Sequence, residues 1–161
     1  MEHDVAIGLL GDHAQLTSEV GLMRWREWGR APEPVDPAFW ISVTQGEAGT
    51  EQLPMTWVAI GSTGHALGAV GLGLFDIEER RDRSPWLLGM VVDPNARRRG
   101  VGRRLLDTVC EWVELTDWTG VWVATGGDAV RFYEACGWRV TETLTRISAE
   151  STVVLHKAMS S

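Results

Sequence analysis

Apolar residues recur along this 161-residue chain with periods that change from segment to segment, and each change marks an element. Residues 5–10 form a short apolar run that predicts a strand, and Gly11-Asp12 then supplies a turn and a helix cap. From His13 the period becomes helical. Leu16, Val20, Met23 and the pair Trp25 and Trp28 recur at helical spacing, and Gly29 ends the run, with Pro32 and Pro34 beyond it. A second, shorter helix is predicted from Asp36-Pro37, a cap followed by proline in the first turn; it carries Phe39, Trp40, Ile41 and Val43 and breaks between Gly46 and Gly49.

Residues 55–60 and 66–75 read as strands joined by Gly61-Ser62-Thr63-Gly64, a turn suited to an antiparallel hairpin. In the second of them Ala69, Gly71 and Gly73 fall on one face, and Val70, Leu72 and Leu74 on the other. The bare face admits a close approach by another backbone or a ligand, or simply tight helix packing. The connection over 76–84 is dense in charge and reads as a solvated loop. Residues 87–92 predict a buried strand stopped by Asp93-Pro94. A helix over 101–113 then places Val101, Leu105, Val109 and Val113 on one face, with Leu106 and Cys110 beside them. A strand over 121–125 is followed by Gly126-Gly127-Asp128, which turns the chain and caps a helix running to Gly137. Residues 138–147 and 152–158 read as a closing hairpin. No internal repeat, low-complexity run or linker interrupts this order, and the length is that of one domain over 1–161.

Composition narrows the function. The formal net charge is −7, and the arginines cluster at one loop instead of coating a face, which argues against a general nucleic-acid binder and favours a cationic small substrate. No apolar run reaches the length of a membrane span, and the first residues lack a basic start with an apolar core behind it. A cytoplasmic location without membrane contact is therefore the expectation. Cys110 and Cys136 have no metal-ligand spacing and read as reduced residues on helices. His3, His13, His65 and His156 show no i, i+4 pairing, so no metal is expected. Most of the nine tryptophans, Trp112, Trp122 and Trp138 among them, fall on core-like positions.

The chemistry concentrates between residues 86 and 106. After the apolar strand comes Arg97-Arg98-Arg99-Gly100-Val101-Gly102-Arg103-Arg104, placed where the unbonded N–H groups of a helix's first turn point outward. Glycines at 100 and 102 let several amides converge on one anionic group, as a pyrophosphate requires, and the arginines surround it with charge. No Lys-Ser/Thr follows the second glycine, so this is not the phosphate loop of nucleotide hydrolases; the third glycine of the dinucleotide fingerprint is also missing. The segment resembles the acyl-CoA-binding motif of the GCN5-related N-acetyltransferases, with Arg97, Gly100 and Gly102 at the positions that define it. A second signature of that family is matched by Phe132-Tyr133-Glu134-Ala135-Cys136-Gly137-Trp138. The resemblance runs from about Val5 to about Met159.

That resemblance implies an α/β (α+β) fold: a mixed, mostly antiparallel central sheet of about seven strands, flanked by helices on both faces. It implies acetyl-CoA as co-substrate, held by the amides of Arg98, Arg99, Gly100, Val101, Gly102 and Arg103. The backbone of Met90, Val91 and Val92 would pair with the pantetheine arm, and an N–H at or near Met90 would polarise the thioester carbonyl. Tyr133, the only tyrosine, occupies the place of the acid that protonates the leaving thiolate; the alternative is a cofactor-binding residue that packs against the pantetheine arm. The chain departs from the family pattern twice. Gly126 stands where many members carry asparagine, and Ser84-Pro85-Trp86 stands where many carry a glutamate base. Asp76, Glu78 and Glu79 are the nearest carboxylates, with Asp76 and Glu79 taken as the candidates, and deprotonation through water is the other route. Trp25, Trp28, Phe39 and Trp40 beside Glu27 would suit a cationic amine. The expected activity is acetyl transfer to a primary amine of a small molecule or peptide; the alternative is a non-catalytic acyl-CoA sensor. Relatives often form homodimers, which the resemblance extends to this chain.

Overall fold

The computed structural model describes residues 5–145 and 151–160. The elements are β1 (Ala6–Leu9), α1 (Thr17–Trp28), α2 (Pro37–Gly46), β2 (Met55–Ile60), β3 (Ala66–Gly73), β4 (Trp86–Val92), α3 (Val101–Glu114), β5 (Gly120–Thr125), α4 (Ala129–Ala135), β6 (Arg139–Leu144) and β7 (Thr152–Ala158). This is the order that the periodicities predict. Hydrogen bonding orders the strands β1-β2-β3-β4-β5-β7-β6 in one seven-stranded sheet. The sheet is mixed and mostly antiparallel, with β4 and β5 running parallel. By compactness the chain divides into two units. One holds the residues up to Leu72 and Gly89–Val109, the other Gly73–Leu88 and the residues from Cys110 onward.

In the first unit, Leu16, at the turn just before α1, and Val20 and Met23 of α1 pack with Val58, Ala69 and Val91. Trp57, Val70 and Leu72, which point to the opposite side of their strands, are also buried, so both faces of these strands are covered. The β2–β3 hairpin is antiparallel as expected, and Gly64 takes a left-handed φ of 85° in its turn. The close backbone approach on β3 falls at Gly68, which is not one of the three positions of the predicted bare face: a Cβ there would lie 2.8 Å from the Val91 oxygen. Two expectations are corrected here. Helix α1 begins at Thr17, because single 3-10 turns at Leu10–Asp12 and Ala14–Leu16 use up the residues before it, and Asp12 makes no capping bond. Strand β3 stops at Gly73, two residues short of Phe75. Asp36 caps α2 as predicted, accepting from the Ala38 N–H at 2.9 Å. The tryptophan indoles of α1 and α2 are put to local use: Trp25 and Trp40 donate to the Val35 and Pro34 carbonyls, fastening the proline-rich connection between the helices.

The same unit buries a guanidinium. Arg24, on the inner face of α1, is 2% exposed. Its Nη1 donates to Thr44 Oγ1 and to Glu47 Oε1, each at 3.1 Å, and its Nε donates to the Gly89 carbonyl at 3.0 Å. Burial disfavours both charges of the pair, lowering the pKa of Arg24 and raising that of Glu47, while their mutual attraction opposes both shifts.

In the second unit, β7 lies between β5 and β6, so the closing hairpin joins the sheet through its last strand. Val121, Val123, Val154 and Leu155 form its buried core, and β6 is the exposed edge, with a register shift between Val140 and Glu142. Of the predicted strand over 138–147, Arg146 and Ile147 lie outside the described residues. Asp128 makes no side-chain cap on α4, because its own backbone already has helical angles, φ −67° and ψ −19°. The 76–84 connection is more than a solvated loop. Arg80 donates to Glu142 through Nε and Nη2 at 2.7 and 2.5 Å, Arg83 Nη1 reaches the same carboxylate at 2.9 Å, and Ser84 Oγ donates to the Leu74 carbonyl. Arg83 also stacks 4.5 Å over the Trp122 ring. The two hydrogen-bonded arginines, Arg80 foremost, hold the Glu142 carboxyl below the ordinary range.

Replacing Glu47 by Ala leaves the Arg24 charge buried without its counterion, and should lower stability by about 2 kcal/mol. A urea titration will show this as an earlier midpoint with an unchanged slope.

Candidate functional site

Strand β4 is not a regular strand. Gly89 sits in the left-handed region at φ 50°, immediately before Met90, and Met90 is half-buried. The strand ends where Asp93 donates its N–H to the Leu67 carbonyl at 2.8 Å and accepts from the Asn95 N–H at 2.9 Å through its side chain. A turn at Pro94–Ala96 leads into the arginine-glycine loop.

Two left-handed residues shape that loop, Arg98 at φ 65° and Gly100 at φ 76°, and α3 starts at the next residue, Val101. A Cβ on Gly100 would meet nothing within 4 Å, so the glycine serves the backbone angle and not a lack of space. Left-handed residues set between extended and helical ones turn successive N–H groups toward a common point, and the first turn of α3 adds N–H groups that have no carbonyl within the helix. The first helical bond found here, Arg104 N–H to the Gly100 carbonyl at 3.0 Å, leaves the preceding amides outside the helical ladder. Arg97, Arg98, Arg99, Gly100 and Arg103 are exposed around this concavity, while Val101 and Gly102 are buried beneath it. The arrangement can receive a multiply charged anion.

Beside the loop lies a pocket of about 90 Å³ lined by Met23, Arg26 and Glu27 of α1 and by Val91, Val92, Asp93, Pro94 and Arg97. The first unit thus brings together Val91, Val92 and Arg97, three of the residues expected to hold the cofactor. Arg97 Nε donates to the Val92 carbonyl at 3.1 Å, and its Nη2 donates to Glu27 Oε1 at 3.2 Å. Glu27 is therefore engaged by the loop and is not a free carboxylate beside the aromatic residues. Those residues do cluster, with Trp28 and Trp40 stacked at 6.1 Å and Phe39 edge-on to Trp40 at 5.7 Å.

The three candidate catalytic residues belong to the second unit. Tyr133 is 4% exposed on α4, with its ring edge-on to Phe132 and Trp138 at 5.3 and 5.5 Å. Burial raises its pKa above the ordinary value, so it stays a phenol throughout the physiological range. Asp76 is exposed on the segment entering the short turn at Glu78–Arg80, and Glu79 is exposed within that turn. Sequence reasoning passed over Arg24 and Glu47. Their signal was present in part: Arg24 lies four residues after Val20, on the apolar face of a helix, where a charge calls for a partner.

The strand order and the anion loop define a mixed-sheet protein of the acetyltransferase class. Residues 54–140 match the family model for the acetyltransferase (GNAT) domain, and the chain belongs to that family. Among solved structures, an aminoglycoside 6'-N-acetyltransferase complexed with coenzyme A is similar with a TM-score of 0.77, at 14% identity over 95% of this chain and 96% of its own. Ard1 from Thermoplasma volcanium gives 0.74 at 16% identity, covering 98% and 99%. A Bacillus anthracis protein assigned as a streptothricin acetyltransferase, in complex with acetyl coenzyme A, gives 0.62 at 18%, covering 72% and 68%. At these identities the likeness is one of fold. A search of curated proteins returned no match.

The Glu27 carboxylate offsets the Arg97 charge at the loop. Glu27→Gln should therefore tighten acetyl-CoA binding about two- to fivefold at low salt, an exposed pair's usual share, and calorimetric titration will read it.

Proposed function

We propose that this protein is a single-domain, acetyl-CoA-dependent N-acetyltransferase that acts on a primary amine of a small molecule or peptide by direct attack on the thioester. The observation that carries this reading is the left-handed pair Arg98 and Gly100 opening onto the first turn of α3, an anion cradle next to an interrupted strand. The amides of Arg98 through Arg103 hold the pyrophosphate, and the arginine side chains neutralise it. The backbone of Met90, Val91 and Val92 aligns the pantetheine arm, with Arg97 leaving the Val92 carbonyl as the cofactor enters.

The amine nitrogen attacks the thioester carbonyl carbon, and the oxygen takes negative charge, stabilised by the Met90 N–H. The carbon–sulfur bond breaks, the amine's surplus proton goes to water or to Asp76 or Glu79, and Tyr133 donates its phenolic proton to the departing thiolate and is reprotonated from solvent, which receives the amine's proton in turn. The products are an acetamide and coenzyme A. Small-molecule amines are favoured as acceptors by the acidic surface, with its net charge of −7, and by the activities named for two of the structural relatives. A non-catalytic acyl-CoA sensor is the second reading, favoured by Ser84-Pro85-Trp86: the start of β4 carries a fully buried tryptophan instead of a carboxylate.

Calorimetric titration with acetyl-CoA, compared with free adenine nucleotides, is the first test. Saturable binding well above that of the nucleotides is expected, and no binding by the folded chain refutes both readings. Acetylation of any amine then excludes the sensor. Tyr133→Phe should lower kcat about 100-fold with cofactor affinity unchanged. Because the raised pKa keeps the phenol protonated beyond its ordinary value, kcat should show no alkaline fall near pH 10; such a fall, lost in Tyr133→Phe, would refute a buried acid.

A further inference from the structure

Three costly features meet at one peptide group. The first is the buried Arg24 guanidinium, whose Nη2 has no hydrogen-bond partner among the described residues. The second is Gly89, held left-handed inside a strand, where glycine weakens the element and any other residue is strained. The third is their closeness: a Cβ on Gly89 would lie 2.8 Å from Arg24 Nε and 3.0 Å from Cζ, so the glycine is needed for the guanidinium to reach the backbone at all. Stability alone does not account for this. Replacing a buried ion pair by well-packed apolar side chains is commonly neutral or stabilising, and Arg24 adds an orphaned donor to that cost.

The peptide concerned joins Gly89 to Met90. Its carbonyl oxygen accepts from Arg24 Nε at 3.0 Å, a bond strengthened by the donor's charge. A planar trans peptide sets its C=O and N–H antiparallel, so fixing the Gly89 oxygen also fixes the direction of the Met90 N–H. A cation on the oxygen also draws electron density across the amide and makes that N–H a stronger donor. Thr44 and Glu47 hold the guanidinium from its other side, through Nη1.

We propose that Arg24 is a positioning residue for acetyl transfer: through the Gly89 carbonyl it aims and strengthens the Met90 N–H that polarises the thioester. The inference rests on the function proposed above and identifies which side chain prepares that amide.

The test is infrared spectroscopy of carbonyl-labelled acetyl-CoA bound without acceptor, alongside calorimetric affinities. In the wild-type complex the thioester stretch should move to lower frequency than in solution. Arg24→Met should bind acetyl-CoA within about threefold of wild type but lose about half of that shift or more, and Arg24→Lys, which keeps a charged donor, should recover part of it. The double variant Arg24→Met/Glu47→Gln removes both buried charges and guards against misfolding of the single one. A full shift in the folded Arg24→Met or double variant overturns the proposal. A wild-type complex that binds with no shift overturns it too, together with the Met90 role. Absence of acetyl-CoA binding by the wild type refutes the function itself.

Discussion

A charge that cannot reach water organises the first unit. Arg24 has to find partners inside the protein, and it does so for Nη1 at Thr44 in α2 and at Glu47 just beyond it, and for Nε at the backbone of β4 at Gly89, while Nη2 has none among the described residues. Apolar packing of Leu16, Val20 and Met23 against the sheet is non-directional and would tolerate small rotations of α1. Hydrogen bonds to a planar guanidinium are not so tolerant. Arg24 thereby sets the orientation of both helices to the strand beside the anion loop.

The loop follows from a second constraint, the inability of a helix to satisfy its own first amides. Most helices cap them with a side chain, as Asp36 does for α2. Here the residues before α3 are arginines and glycine, none of which can accept a hydrogen bond through its side chain, and Arg98 and Gly100 turn the backbone left-handed. Donors are thus gathered and left for an external anion. Arg97 completes the arrangement by bridging the end of β4 and α1, on the Val92 carbonyl and Glu27. On the proposed function, the pyrophosphate of coenzyme A would fill that cradle.

The second unit is built on a different balance. Its edge strand β6 is polar and exposed, and its connection over 76–84 is held by one carboxylate shared between two arginines, with Arg83 laid on Trp122. Glu142 lies 62 and 59 residues from Arg80 and Arg83. No periodicity links positions so far apart, which is why the connection read as merely solvated. Tyr133 shows the reverse: its ring partners, Phe132 and Trp138, lie only one and five residues away in sequence.

Period and turn chemistry therefore determined the elements and their order, because a strand's alternation, a helix's 3.6-residue repeat and the conformations of glycine and proline are local properties. The loop was legible for the same reason: Arg97 to Gly102 and the start of α3 are contiguous, so a glycine turn opening a helix follows from the sequence itself. Tertiary structure alone decided the insertion of β7 between β5 and β6, the engagement of Glu27 by Arg97 across 70 residues, and the seating of Arg24 on Gly89 across 65. Each of these joins groups distant in sequence, and which partner a charge or a strand edge finds is settled only when the whole chain competes for it.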